Sequence, residues 1–293
     1  MSIRIVTDST CDLPPALVAK YGITVIPLYI NIGDKSYRDG IDISREEFYE
    51  RLPTFSSPPT TSAPGPGVFA ETYERLGREG ATGILSLHIS STLSNVGNIA
   101  QLAAQETISV PVKVVDSRNL SLVTGLQAVA AAIKATAGAT MDEVTTTLAH
   151  LAKCTYCFAV LDTVEYLRRS GRMSHVMSTL ATLLHIKPLL KMNDGVSTAE
   201  RVRTHKAAIA RLIELVTQLG PLLKLAIVHT NAFEQAEELR KQAAGLFPSG
   251  DELPLIVQVT PVLGAHLGPG TVGFAAVAEC EAQPAMERKL WVF

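Results

Sequence analysis

Apolar and polar positions alternate in blocks along the chain, and the blocks mark the elements. Short continuous apolar runs, "IRIVTDS", "TGILSLHIS" and "VPVKVVDS", read as strands buried on both faces. Between them lie longer stretches with helical spacing of apolar residues. Helices are predicted over "LPPALVAKYG", which Gly22 can close, and over "SREEFYERL", where Ser44 and Glu47 fit a capping box. Others are predicted over "VFAETYERLGREG", over "TLSNVGNIAQLAAQE" from near Thr92, and over the apolar "LVTGLQAVAAAIKATAG". "ITVIPLYINI", "GDK" and "SYRDG" predict a hairpin-like excursion, and the Pro/Ser/Gly-rich "FSSPPTTSAPGPG" a loop. Strand–helix alternation argues for a Rossmann-like parallel sheet flanked by helices.

The second half has another rhythm. After a connecting helix, "TMDEVTTTLAHLAK", come strand "CFAVLDT" and helices "VEYLRRSG" and "MSTLATLL". "KPLLKMNDGVSTAERVR" predicts a hairpin turned at Asn193-Asp194-Gly195. A helix over Lys206 to Leu219, strand "LKLAIVHT", helix "FEQAEELRKQAAGLF" and strand "LPLIVQVT" follow. The stretch "PVLGAHLGPG" then leads to a last strand, "TVGFAAVAEC". With 293 residues the chain suits two domains. The expected fold is therefore α/β in two parts: residues 1–153 around a parallel sheet, and 154–293 as an α/β domain with a mixed sheet.

Composition narrows the function classes. Hydrophobic residues are 47% and charged ones 18%, which leaves room for an apolar cavity. A net charge of −2 gives no basic footprint for nucleic acid. No uncharged run reaches the ~18 residues of a spanning helix, and Met1 leads straight into a strand without a signal-peptide core, so a cytoplasmic location is expected. Cys154-Thr-Tyr-Cys157, with His150 nearby, invites a metal or redox reading. No second Cys pair follows at finger spacing, and "CTYCFAVL" reads as a buried strand, so no metal is expected.

Polar chemistry collects where three strands end: Thr7-Asp8-Ser9, Ile89-Ser90-Ser91 and Val115-Asp116-Ser117. In a doubly wound sheet these share the carboxyl edge, where ligands bind. Each could equally cap the next helix. Ser91 or Ser94 as a nucleophile needs an adjacent base. His88 shares a strand face with Ser90 and opposes Ser91, and His266 is a remote alternative. No G-x-S-x-G elbow surrounds these serines. "GPGTVG" matches G-x-G-x-x-G, but a strand-like run follows it where a dinucleotide site needs a helix. Its glycines read as a tight passage that either brings His266 to a ligand or leaves it a plain loop residue. Arg168, Arg169, Arg172, Arg201, Arg203 and Lys206 form basic clusters that could meet an anion or an acidic partner, or simply be solvated.

Taken together these motifs resemble the DegV family of bacterial fatty-acid-binding proteins. The resemblance rests on "VTDSTCDLP", "IPLYINIGDKSYRDGIDIS", the "TTSAP" loop, "ISSTLSN" and "VVDSRNLSLVTG". It continues through "EYLRRSGRMS", "IKPLLKMNDG", "RVRTHKA" and "GAHLGPGTVG", in family order to about Cys280. It implies an apolar tunnel holding one long-chain fatty acid (C14–C18), with the carboxylate at a cluster of hydroxyls and no other cofactor. It also implies a non-catalytic protein that presents this carboxylate to a separate ATP-binding subunit of a fatty-acid kinase. By motif match the carboxylate site falls on Thr61, Ser62, Ser94, Asn95 and His266. Contacts to phosphate or partner fall on Arg172, Arg201 and Arg203. The chain departs from the family at Ser94-Asn95-Val96-Gly97, where S-G-T-Y is usual, and at Ala63, often Gln. The alternative is a serine acyltransferase or esterase using Ser91 or Ser94.

Overall fold

A computed structural model describes residues 2–173, 186–248, 255–279 and 291. The predicted helix "MSTLATLL" and Cys280 lie outside the described residues.

The first half builds a four-stranded parallel sheet from β1 (Ile3–Asp8), β2 (Thr24–Ile26), β6 (Gly83–His88) and β7 (Val112–Asp116), in the order β2-β1-β6-β7. Helix α1 (Pro15–Tyr21) ends at Gly22, which takes the left-handed φ of 61° that the sequence anticipated. The excursion is a hairpin of β3 (Tyr29–Ile32) and β4 (Lys35–Arg38). The Pro/Ser/Gly stretch is not loop alone: β5 (Thr60–Ser62) pairs with β3 and makes a small antiparallel sheet, β4-β3-β5. Helix α2 (Arg45–Arg51) is capped by Ser44, which accepts from Glu47 N–H at 3.0 Å. The reciprocal half of the predicted box is missing because the Glu47 carboxylate pairs with Arg51. Helices α3 (Pro66–Arg78) and α4 (Val96–Glu106) follow β5 and β6. Helix α4 starts later than predicted, because Ser90 to Asn95 form a turn in which the Leu93 and Ser94 N–H groups both donate to the Ser90 carbonyl.

Helix α5 (Ser121–Thr136) is buried along nearly its whole length. It packs against β1 on one side and the second sheet on the other, so no polar face is needed. Helix α6 (Met141–Cys154) opens with a complete capping box from Thr140 and Glu143. The second sheet is mixed and combines β8 (Thr155–Val160), β9 (Lys187–Asn193), β10 (Val196–Val202), β11 (Leu222–His229), β12 (Ile256–Gln258) and β13 (Val272–Ala278). Its order is β10-β9-β8-β13-β11-β12, with only β11 and β12 parallel. Helices α7 (Glu165–Arg169), α8 (His205–Thr217) and α9 (Phe233–Gln242) accompany it. The "PVLGAHL" stretch is itself a helix, α10 (Pro261–Leu267), so His266 stands on a helix rather than in a loop. The β9–β10 turn has positive φ at Asp194 (44°) and Gly195 (79°), the hairpin geometry that Asn-Asp-Gly predicts.

That turn is a joint between the halves. The Arg118 carbonyl accepts the Gly195 N–H at 2.7 Å, and the Arg118 guanidinium pairs with the Asp194 carboxylate at 2.5 Å. One continuous apolar core runs from Ile5 and Leu87 through α5 to Val228 and Ala275, so the two sheets share it.

Candidate functional site

The strand-end polar groups divide into those that organise loops and those that reach a cavity. Asp8 is fully buried. It accepts Thr10 N–H at 3.0 Å, Ile89 N–H at 3.3 Å and the Thr10 hydroxyl, and its other oxygen meets His88 Nδ1 at 2.9 Å. Burial alone would raise this carboxyl; the bond and charge of His88 and the Thr10 hydroxyl outweigh it, and the net shift is downward. His88 Nε2 meets Ser86 Oγ at 2.7 Å, and Ser86 meets the Tyr73 hydroxyl at 2.8 Å, in a chain sealed from solvent. Asp116 likewise accepts the Ser91 N–H (3.2 Å), the Ser91 hydroxyl (2.7 Å) and the Arg118 N–H (2.7 Å). Asp8 thus caps the short turn after β1, whereas Asp116 ties the loop after β6 to the loop after β7 and caps no helix. Ser91 is exposed and bound to Asp116, and His88 is engaged on both nitrogens, so neither supplies the nucleophile–base pair that acyl transfer needs.

A cavity opens beyond these loops, with about 1210 Å³ of empty space, its mouth included. Its walls come from both halves: Leu28 and Ile89 on one side, Ala159, Met192, Val228 and Val262 on the other. Small side chains make the room. Cys157 and Ala159 occupy one face of β8, and their β13 partners on that face are Ala275 and Gly273. The Cys157 thiol is free and buried, and burial first, then the Asp12 charge, push it up to about 12, so it behaves as an apolar wall. Among the described residues no cluster of His, Cys, Asp and Glu could hold a metal ion.

Polar groups gather at one part of this wall. Thr61 Oγ1 lies 2.9 Å from His266 Nε2, joining the small sheet to α10. Alternation along β5 turns Thr60 and Ser62 to the opposite face, where Asn31 Nδ2 donates to Ser62 Oγ at 3.3 Å. Ser62 therefore borders the cavity with its hydroxyl turned to Asn31. Ser94 lines the cavity from the Ser90–Asn95 turn. Asn95 is not in the lining; it is exposed, and its Oδ1 accepts from Asn98 Nδ2 at 2.5 Å. Arg172 borders the cavity. Burial first, and the Arg172 charge second, pull His266 down to about 4, so the ring is neutral at neutral pH. Its Nδ1 is buried and unpartnered. Either tautomer leaves the pair one unused donor: the Thr61 hydroxyl proton if Nε2 carries the hydrogen, the Nδ1–H if it does not.

Arg201 and Arg203 are exposed and outside the lining. Arg201 opposes Pro188 and shares a β10 face with Ser197, which does line the cavity. Sequence reasoning did not single out Thr10, Ser121 or the small residues of β8 as wall, because nothing local distinguishes a wall position from an ordinary core one.

Fold and cavity together define an α/β protein with a parallel and a mixed sheet and a largely apolar chamber that Thr61, Ser94 and His266 border with polar groups. The chain belongs to the DegV family, whose model matches residues 2–279. A DegV domain-containing protein of Streptomyces coelicolor is 39% identical over 274 residues, covering 92% of this chain and 96% of the relative. One from Deinococcus radiodurans is 36% identical, covering 94% and 98%. Among solved structures, a fatty-acid-binding DegV family protein from Thermus thermophilus superposes with a TM-score of 0.86 at 33% identity, covering 95% of this chain and all of that one. DegV from Bacillus subtilis, described as a fatty acid binding protein, gives 0.86 at 28% identity with the same coverage. No helix among the described residues is long and apolar enough to cross a membrane.

Proposed function

We propose that the protein binds one long-chain fatty acid, C14–C18, with its chain in the apolar cavity and its carboxylate at Thr61, Ser94 and His266. The observation that carries this reading is the Thr61–His266 pair on the cavity wall: a neutral ring, a hydroxyl and one donor to spare. A carboxylate is well held by two or three neutral donors without a buried cation. Each methylene of the acyl chain contributes ~0.8 kcal/mol on burial, so the chamber supplies affinity and the donors supply orientation. Ser62 and Asn95, matched on sequence, contribute less directly, since the Ser62 hydroxyl faces Asn31 on the other side of β5 and Asn95 lies outside the cavity lining. The fatty-acid-binding relatives of known structure support the same ligand class.

The protein itself performs no chemistry in this reading. Arg172 at the cavity wall, with exposed Arg201 and Arg203, suits the approach of a phosphate-bearing partner, a separate ATP-binding kinase subunit that would form the acyl phosphate. We take the division at residues 1–153 and 154–293 as part of the same proposal, and the change of sheet between β7 and β8 supports it. Native mass spectrometry of gently purified protein tests the ligand class. A co-purifying C14–C18 acid, or uptake of added acid, is expected. Neither occurring would overturn the proposal. Acyl phosphate formed only when kinase subunit and ATP are both added would support the partnership; none formed would remove it and leave lipid binding standing.

A further inference from the structure

The turn that joins the halves is also where three stretches of cavity wall meet. Leu93 and Ser94 line the cavity from the turn after β6, Leu120 and Ser121 from the loop after β7, and Met192 and Ser197 from the two strands of the β9–β10 hairpin. Each of these pairs lies within a few residues of Thr92, Arg118 or the Asp194-Gly195 turn, and those residues bond to one another across the three stretches.

Arg118 is the hub. Its Nε donates to Asp194 Oδ1 at 2.5 Å and its Nη2 to the Asp194 carbonyl at 2.6 Å, while its own carbonyl accepts the Gly195 N–H at 2.7 Å. A Cβ added to Gly195 would come within 3.2 Å of Nη2 and 3.3 Å of Cζ, so the guanidinium lies against the turn. On its other side the Arg118 N–H donates to Asp116, which also holds the Ser91 N–H and hydroxyl. Arg118, Ser121 and Asp194 take left-handed φ values of 55°, 57° and 44°. Residues with a Cβ enter that region rarely and at a cost, so it persists where surrounding bonds fix it.

The joint reaches Ser94 through hydrogen bonds. The Thr92 hydroxyl donates to the Gly195 carbonyl at 3.4 Å and shares a 2.9 Å bond with the Ser90 hydroxyl. The Ser90 N–H donates at 2.8 Å to the carbonyl of Asn119, the residue after Arg118, and the Ser90 carbonyl accepts the Ser94 N–H at 3.1 Å. The Ser94 hydroxyl has no hydrogen-bond partner among the described residues, so the turn that carries it sets its direction.

We propose that Arg118 and Asp194 are positioning residues for the ligand carboxylate: their ion pair seats the β9–β10 turn against the Ser90–Asn95 turn and so aims the Ser94 hydroxyl into the cavity. This inference rests on the fatty-acid reading. Both residues stand outside the cavity lining, and the pair is partly exposed to water, so its effect has the size of a surface ion pair.

The test is a double-mutant cycle on oleic acid affinity, read by displacement of a fluorescent fatty acid. Asp194→Asn keeps the shape of the turn and removes the charge, and it is expected to weaken binding roughly twofold to fivefold. Ser94→Ala is expected to weaken binding on its own. Asp194→Asn added to Ser94→Ala is expected to cost nothing further, because the hydroxyl that the pair aims is gone. Undiminished affinity in either single variant, or losses that multiply in the double variant, overturns the inference. Should Asp194→Asn not fold, Arg118→Gln breaks the pair from the other end and decides the same cycle. Amide hydrogen exchange without ligand is a second readout. The Gly195 and Ser94 N–H groups are expected to exchange faster in Asp194→Asn than in the wild type, and unchanged Ser94 exchange overturns the inference. If no acid binds to any variant, wild type included, the fatty-acid reading has failed, and Ser94 exchange still judges the joint on its own.

Discussion

Replacing Thr61 with valine removes one hydroxyl and almost no volume, so it isolates the polar contribution to ligand binding. In the wild type Thr61 is half-buried and its hydroxyl hydrogen-bonds His266, at 2.9 Å. With ligand bound, that pair offers its spare donor to a charged acceptor. A hydrogen bond to a charged group is worth about 1.5–3 kcal/mol. At ~1.4 kcal/mol per factor of ten, the dissociation constant of Thr61→Val should rise about tenfold to 150-fold. Ser62→Ala is the control on the same strand: its Oγ faces Asn31, so the loss should stay within about threefold. Both are read by displacement of a fluorescent fatty acid at fixed pH, with melting temperature recorded to exclude a fold effect. Equal losses in the two variants, or none in Thr61→Val, would refute the assignment of the carboxylate to the His266 side of β5.

Further outcomes follow from the buried groups. His229 and His266 are both pulled down to about 4, mainly by burial, so between the ordinary value near 6.5 and about 4 the unfolded chain binds protons that the folded one refuses. Their contribution is whole above about pH 6.5 and is lost as the pH falls to about 4, by up to ~3 kcal/mol each; His229→Asn should flatten this acid slope in thermal melts, and an unchanged slope would contradict it. His88→Ala leaves the Asp8 carboxylate buried without its ring partner and should cost about 3–5 kcal/mol in denaturant unfolding; a loss below about 1 kcal/mol would mean that Thr10 and Ile89 alone suffice. Gly268→Ala adds a Cβ only 2.2 Å from Tyr166 of α7, at a φ of 71°. Because Leu167 on the same helix lines the cavity, lipid retention should fall along with stability; normal retention would show that α7 does not shape the wall.

Much of the fold is written in periodicity. Continuous apolar runs give β1, β6 and β7, Gly22 closes α1, and Asn193-Asp194-Gly195 turns the β9–β10 hairpin. What periodicity misses is pairing between distant segments. β5 is three residues of Thr and Ser among prolines, and only its register with β3 makes it a strand. Helix α10 starts on a proline and is closed by Gly268, too short for an amphipathic pattern to stand out. Thr61 and His266 sit on these two elements. The resemblance could name them, but the residues alone gave no reason to set a loop threonine against a loop histidine. Asn95 is the converse: a motif position that the late start of α4 turns outward.

The separation of the pair along the chain has a kinetic side. Thr61 and His266 are 205 residues apart, and Asp12 and Thr260, just behind them, 248. Closing loops of that size is slow, and it waits for nearly all of the chain to leave the ribosome. A nascent chain that ends before α10 lacks His266, and with it one half of the Thr61–His266 pair. If the protein binds a fatty acid as proposed, lipid uptake is a late event in biogenesis and can serve as a clock for completion of folding.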